Sequence, residues 1–261
     1  MKTTISKLHS YKNKKKITMI TAYDALFSKM FDEITDTILV GDSLNMSFFG
    51  DSDTLTATLE QMIYHTKAVC NGAKNAYIIS DMPFGTYQTP LDALKNATKI
   101  FKETKADAVK LEGGIEKAET IKLLTDNAIA VVGHIGLMPQ FSRSEGGYKV
   151  KGKDEESRQK LLNDAKAIEK AGAVMLVIEG VKEEVAREIT EIISIPVIGI
   201  GAGRYTDGQV LVWSDMLGFF DEFKPKFVKR YFNGAEIIKE KVKNYVEEVE
   251  NGKFPTINEI Y

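Results

Sequence analysis

Apolar runs of strand length alternate along the chain with stretches whose apolar residues recur at helical spacing. Ile17-Thr-Met-Ile-Thr21 is β-branched and predicts a first strand. Asp24 to about Phe31 follows, with Leu26, Phe27, Met30 and Phe31 spaced as on a short amphipathic helix. Thr37-Ile-Leu-Val40 predicts strand two, and a polar, glycine-punctuated loop over 45–57 is long enough to fold across a site. Thr58-Leu-Glu-Gln61 matches a capping box and places Leu59, Met62, Ile63, Thr66 and Val69 on one helix face. Strand three spans Tyr77 to Asp81, after which Thr89 and Pro90 form an N-cap and first-turn proline for a helix carrying Leu94, Ala97 and Phe101.

The alternation continues with strand four, Ala108 to Glu112, a helix with Ala118, Ile121 and Leu124, and strand five, Ile129 to His134. Residues 141–153 lack periodicity and contain Gly146-Gly-Tyr-Lys-Val-Lys-Gly152, which reads as a lid or insert. A long helix, Asp154 to Ala171, stops at Gly172 in the C′ position. Strand six ends on Glu179. The next helix is expected to turn Val185, Ile189, Ile192 and Ile193 inward. Pro196 to Gly201 and Val210 to Trp213 supply strands seven and eight, and Ile238, Val242, Tyr245 and Val249 mark a C-terminal helix whose stripe must dock on the barrel or a neighbouring subunit. Eight strands, most separated by a helix, predict a closed (β/α)8 barrel, and without linker or repeat the chain reads as one domain over 1–261.

Five of these strands stop on chemically useful side chains, at the end where barrels place their chemistry. Strand two runs into Gly41-Asp-Ser43, strand three into Asp81, strand four carries Lys110 and Glu112, strand five ends on His134 and strand six on Glu179. Asp42 and Asp81 leave neighbouring strands as hard oxygen ligands suited to Mg²⁺; the alternative for each is a helix cap. Lys110 and Glu112, two apart, share a face, so the pair either offers the lysine to an anionic substrate or fills the barrel as an ion pair. His134 lacks zinc-site spacing and is read as a hydrogen-bonding group. Glu179 follows four apolar residues, where partial desolvation would suit a general base. Gly199-Ile-Gly-Ala-Gly203 fails as a dinucleotide fingerprint because Arg204 stands at the third glycine position.

Net charge is −2, which excludes a global field recruiting nucleic acid or anionic lipid. The single cysteine, Cys70, excludes an internal disulfide and falls within a predicted helix. The N-terminus lacks an apolar signal core and no run approaches ~18 apolar residues, so a soluble cytoplasmic protein is expected, with no nucleic-acid or membrane partner.

In combination, Ile17-Thr-Met-Ile-Thr-Ala-Tyr-Asp24, Val40-Gly-Asp-Ser-Leu44, Tyr64-His-Thr66, Asp81-Met-Pro-Phe84, Lys110-Leu-Glu-Gly-Gly114, Gly133-His-Ile-Gly-Leu137, Gly146-Gly-Tyr-Lys-Val150 and Ile198-Gly-Ile-Gly-Ala-Gly203 resemble the ketopantoate hydroxymethyltransferase family. The resemblance extends to Pro225-Lys-Phe227 and so covers nearly the whole chain. It implies a cytoplasmic, homodecameric, Mg²⁺-dependent barrel with one ion per subunit. The implied reaction transfers a hydroxymethyl group from 5,10-methylenetetrahydrofolate to 3-methyl-2-oxobutanoate, giving 2-dehydropantoate for pantothenate and coenzyme A synthesis. By the same resemblance Asp42 and Asp81 are metal ligands completed by Glu112, and Ser43 and Lys110 contact the oxo acid, with His134 as hydrogen-bonding partner and Glu179 as proton acceptor. Asn45, Met138 and Lys151 depart from the family's usual glycine, threonine and glutamine. The alternatives are an oxo-acid enzyme like the phosphoenolpyruvate mutase and isocitrate lyase group, and a non-catalytic oxo-acid-binding barrel.

Overall fold

Eight short strands pair in parallel in chain order, and the last closes on the first. They are β1 (Ile17–Thr21), β2 (Thr37–Val40), β3 (Tyr77–Asp81), β4 (Ala108–Glu112), β5 (Val131–Gly136), β6 (Met175–Glu179), β7 (Val197–Ile200) and β8 (Gly208–Leu211). The computed structural model describes residues 2–220 and 224–261, and the chain divides into two units, Met1–Val212 and Trp213–Tyr261. The whole barrel lies in the first. Its helices are α1 (Ile5–Tyr11), α2 (Ala25–Phe31), α3 (Leu59–Gly72), α4 (Pro90–Glu103), α5 (Ala118–Asp126), α6 (Ser142–Glu145), α7 (Glu155–Lys170) and α8 (Glu183–Ile192); the second unit holds α9 (Trp213–Met216) and α10 (Gly234–Glu250). No helix among the described residues is long and apolar enough to cross a membrane.

Strand alternation splits the core into two shells. Leu39, Tyr77, Ile79, Val132, Met175, Val177 and Ile198 pack together inside the barrel. Val109, Leu111, Val131, Leu176, Ile178 and Val197, one step out of phase, pack with Ile100, Ile121, Leu124, Leu161, Ile168 and Ile189 of the surrounding helices. Because successive side chains point to opposite faces, Asp81, Lys110, Glu112, His134 and Glu179 fall on the inward set, at its C-terminal layer.

Several expected local signals act as written. Thr58 and Gln61 form both bonds of the capping box, and Thr89 accepts from Asp92 N ahead of Pro90. Gly172 sits at φ +96° after α7, with Gly172 N bonding Glu169 O and Ala173 N bonding Ile168 O, the paired bonds of a Schellman end. Cys70 is buried within α3.

Other expectations are corrected. Strand eight is Gly208–Leu211, not Val210–Trp213, and Trp213 opens α9. The reason is packing at the seam: a Cβ on Gly208 would stand 2.3 Å from Ile17 O, so glycine is what lets β8 approach β1. Ile192 is exposed, as are Leu26 and Met30, since α8 and α2 bury narrower stripes than their sequences offer. The aperiodic 141–153 segment contains α6 and a parallel bridge from Lys151 to Val181, and the 45–57 loop opens with a single π-helical turn, Asn45–Phe49.

The sequence pattern also missed α1. It is short and buries only Leu8, which joins Ile17 and Met19 in the inner shell. Just beyond it, Lys12 reaches Asp207 at 2.7 Å and the Thr190 carbonyl at 3.0 Å. In α10, Ile238, Val242, Tyr245 and Val249 are exposed.

Candidate active site

Five ionisable groups of the inward set converge at the C-terminal mouth, and Asp42 joins them by a different route. Asp42 is one residue out of phase with Leu39 and Gly41. It reaches the mouth because β2 stops at Val40 and the chain turns, with Leu44 N bonding Gly41 O and Asn45 N bonding Asp42 O. Gly41 makes room for that turn, since a Cβ there would lie 2.8 Å from Ser43 Oγ. Asp42 N then donates to Asp81 Oδ2 at 3.0 Å, so the backbone of one acid steadies the carboxylate of the next.

Asp42, Asp81, Lys110, Glu112 and His134 are all buried, and Glu179 is partly so. Burial drives the Asp42 carboxyl well above the ordinary carboxylate range, and neighbouring Asp81 and Glu112 push it further against the pull of Lys110 and Gln140. Burial likewise raises Asp81, in spite of Lys110 Nζ at 3.2 Å. For Lys110 burial works downward, but Asp81, Glu112 and Asp42 outweigh it and hold the ammonium above its usual value. His134 lies between acids, with Nδ1 3.5 Å from Glu112 Oε1 and Nε2 3.4 Å from Glu179 Oε2. Burial and Lys110 oppose its protonation, yet the two glutamates raise it to about 9.

Two buried atoms here are held by an ionic contact alone, Asp81 Oδ1 by Lys110 Nζ at 3.2 Å and His134 Nε2 by Glu179 Oε2 at 3.4 Å. Three buried carboxyl groups, Asp42, Asp81 and Glu112, faced by one lysine and one histidine, are the oxygen donor chemistry a hard divalent cation takes. Among the described residues no three His, Cys, Asp or Glu side chains gather closely enough to hold an ion alone. The protein groups thus fit part of a coordination sphere that water or substrate oxygens would complete.

Ser43 is partly exposed beside this cluster, its Oγ 2.8 Å from the Tyr23 hydroxyl. Sequence reasoning missed Tyr23, Tyr87 and Gln140. All three lie on connections without periodicity. In the structure Gln140 is buried and bonded to Asp42 and Glu112. The flanking loops meet over the same mouth, where Arg143 Nε and Asp53 Oδ2 are 2.8 Å apart.

The family model for ketopantoate hydroxymethyltransferase matches residues 2–257. The 3-methyl-2-oxobutanoate hydroxymethyltransferase of Aliarcobacter butzleri (strain RM4018) is 64% identical over 260 residues, spanning 100% of this chain and 97% of the relative. Among solved structures, phosphonopyruvate hydrolase in complex with oxalate and Mg²⁺ superposes with a TM-score of 0.64 at 11% identity, over 99% of this chain and 93% of that one. A 2,3-dimethylmalate lyase of the phosphoenolpyruvate mutase and isocitrate lyase superfamily gives 0.58 at 17% identity, over 100% and 91%. At such identities these two likenesses concern the fold alone.

Proposed function

The chain belongs to the ketopantoate hydroxymethyltransferase family, and on that footing we propose that the mouth cluster binds Mg²⁺ and the 2-oxo acid and deprotonates the acid at C3. The enzyme transfers a hydroxymethyl group to 3-methyl-2-oxobutanoate. The carrying observation for the site is the buried cluster of Asp42, Asp81, Lys110, Glu112 and His134, with Glu179 at its accessible edge. Asp42 and Asp81 would hold the ion, with Glu112 completing the metal site, and Ser43 and Lys110 would take the oxo acid. When bound, the cation would supply Lewis-acid polarisation of the substrate oxygens.

The protein's own groups do the rest. Glu179 accepts the C3 proton, and His134, 3.4 Å away, offers that carboxylate a positive partner. Lys110 offsets negative charge that develops on the substrate as the proton leaves, from a fixed, water-poor position. The resulting carbanion equivalent bonds to the methylene carbon of 5,10-methylenetetrahydrofolate as one C–N bond to the folate breaks. One water then supplies the hydroxyl oxygen as the second C–N bond breaks, and tetrahydrofolate leaves with its nitrogens protonated by the water proton and the proton taken up by Glu179. Tyr148, on the loop bridged to Val181 through Lys151, is the residue we assign to limiting bulk water during that transfer.

The test separates proton removal from one-carbon transfer. In D₂O with Mg²⁺ and no folate, the C3 proton of 3-methyl-2-oxobutanoate should exchange, read by proton NMR. Glu179→Gln should slow that exchange by about 10²–10⁴-fold, the span of general-base contributions. Unchanged exchange in that variant would remove Glu179 from the base role. A cysteine-dependent lyase reading gains nothing from the geometry, because Cys70 is buried in α3 and burial pushes its thiol up. The exposed stripe of α10 supports assembly into the family's decamer, and net charge and composition support a cytoplasmic setting.

A further inference from the structure

Gln140 lies within the carboxylate cluster without being acidic, and its backbone N–H and both side-chain polar atoms are used. Its backbone N donates to Glu112 Oε2 at 3.0 Å. Its Nε2 donates to Asp42 Oδ2 at 2.8 Å and to the Met82 carbonyl at 3.0 Å. Its Oε1 accepts a short hydrogen bond from the Tyr87 hydroxyl, which itself accepts from Glu112 N at 3.3 Å. The residue is buried in the 3₁₀ turn Pro139–Phe141, where Pro139 sets the first position of the turn.

One residue thereby joins the ends of β2 and β4 and the Met82 carbonyl just past β3. Orientation is forced as well. Tyr87 has its proton committed to Oε1, so the amide cannot turn over to present oxygen to Asp42 without losing two bonds and setting an acceptor against a carboxylate. The hydroxyl fixes which end of the amide faces the acid, and the amide fixes which oxygen of Asp42 is occupied. Oδ2 is taken; Oδ1 is left for another partner.

We propose that Gln140, held by Tyr87, is a positioning residue that fixes Asp42 and Glu112 for divalent-cation binding. The inference rests on the reading of Asp42 as a cation ligand. Partners of this kind around metal ligands typically alter affinity by about 10–100-fold. The effect belongs to the equilibrium with the ion, since Gln140 need not touch the substrate to exert it.

Mn²⁺ binding to the metal-free protein, followed by EPR of the free ion, gives a readout independent of turnover. Gln140→Met removes both side-chain donors at nearly constant volume and should raise the Mn²⁺ Kd by about 10–100-fold. Tyr87→Phe keeps Gln140 but frees its orientation, and should raise the Kd by a smaller factor in the same direction. The Mg²⁺ concentration giving half-maximal C3 exchange should move by matching factors. A merely structural role would lower the amplitude and leave that midpoint in place. Should Gln140→Met fold poorly, as judged by circular dichroism, Tyr87→Phe carries the test. Kd values within twofold of wild type in every folded variant overturn the proposal. Asp42→Asn is the control that separates the two readings: if it too leaves Mn²⁺ binding intact, the cation reading itself falls, whereas loss in Asp42→Asn alone defeats only the role of Gln140.

Discussion

Lys110 bears on stability and, under the proposed function, on chemistry at once. It is the one lysine within the buried cluster, facing Asp81 at 3.2 Å with Glu112 and Asp42 close by. Removing one partner of such a group leaves charge buried without compensation, at a cost of about 3–5 kcal/mol. Lys110→Met should therefore unfold at lower denaturant than wild type by about that free energy in the metal-free protein. Saturating Mg²⁺ should restore more stability to the variant than to wild type, because the ion replaces the missing charge. Equal metal-induced shifts in thermal midpoint would contradict this. Residues of this type were legible in the sequence, since Asp81, Lys110, Glu112, His134 and Glu179 all share one strand parity and one strand end. Asp42 was legible for a weaker reason, position after an apolar run, because its parity is wrong and only the turn at Gly41 delivers it. Gln140, Tyr87 and Tyr23 were not legible as site residues, because a side chain on an aperiodic connection has no period from which to infer its direction.

At the scale of elements, the joints between successive β/α units are tied by buried acids. Asp32, just past α2, accepts from Asn75 N at 2.8 Å, Ala76 N at 2.7 Å and Asn75 Nδ2 at 2.9 Å, binding the end of α2 to the approach of β3. Burial raises its pKa, but these hydrogen bonds outweigh it and hold the carboxyl below its usual value. A depressed folded-state pKa contributes stability that is present above the unfolded value of about 3.9 and is lost as pH falls through the folded one. Asp32→Asn should thus cost about 1–3 kcal/mol near neutrality. The gap to wild type should close on acidification below about pH 3.9. Urea unfolding at several pH values would reveal a constant gap if the charge were immaterial. The helices that sequence patterns located best were those with end signals, such as α3 with its capping box and α7 with Gly172. α1 went unseen because one buried leucine makes no periodicity. The loops after β2 and β5 were marked as aperiodic, and the short turns within them, Asn45–Phe49 and α6, went unseen. Their links through Asn45, which donates to Asp53 O at 2.9 Å and Thr56 Oγ1 at 2.8 Å, and through Arg143 depend on tertiary placement.

For the molecule as a whole, strand count and order followed from the alternation of apolar runs and helices, because each parallel neighbour is also a sequence neighbour. The exception is the join of β8 to β1, which no local pattern announces. It pairs Ile17 with Gly208 and Ile20 with Leu211, while β8 meets β7 only through Ile198–Gly208 and Gly199–Gln209. Gly208→Ala should open that seam, since the added carbon would press on Ile17 O, and a thermal midpoint equal to wild type would refute the account. The seam also sets an order of events in time. Seven of the strand pairs form between segments close along the chain, whereas this one requires nearly the entire barrel sequence to be brought round, at the largest loop-closure entropy. Closure is then the last step of folding, and β8 the first strand to detach. Native-state amide exchange should find Val210 and Leu211 opening at lower free energy than β3 to β6. The acids gathered at the ends of β2 to β6 would stay assembled through such openings, and under the proposed function the barrel would breathe on the side where no proton has to move.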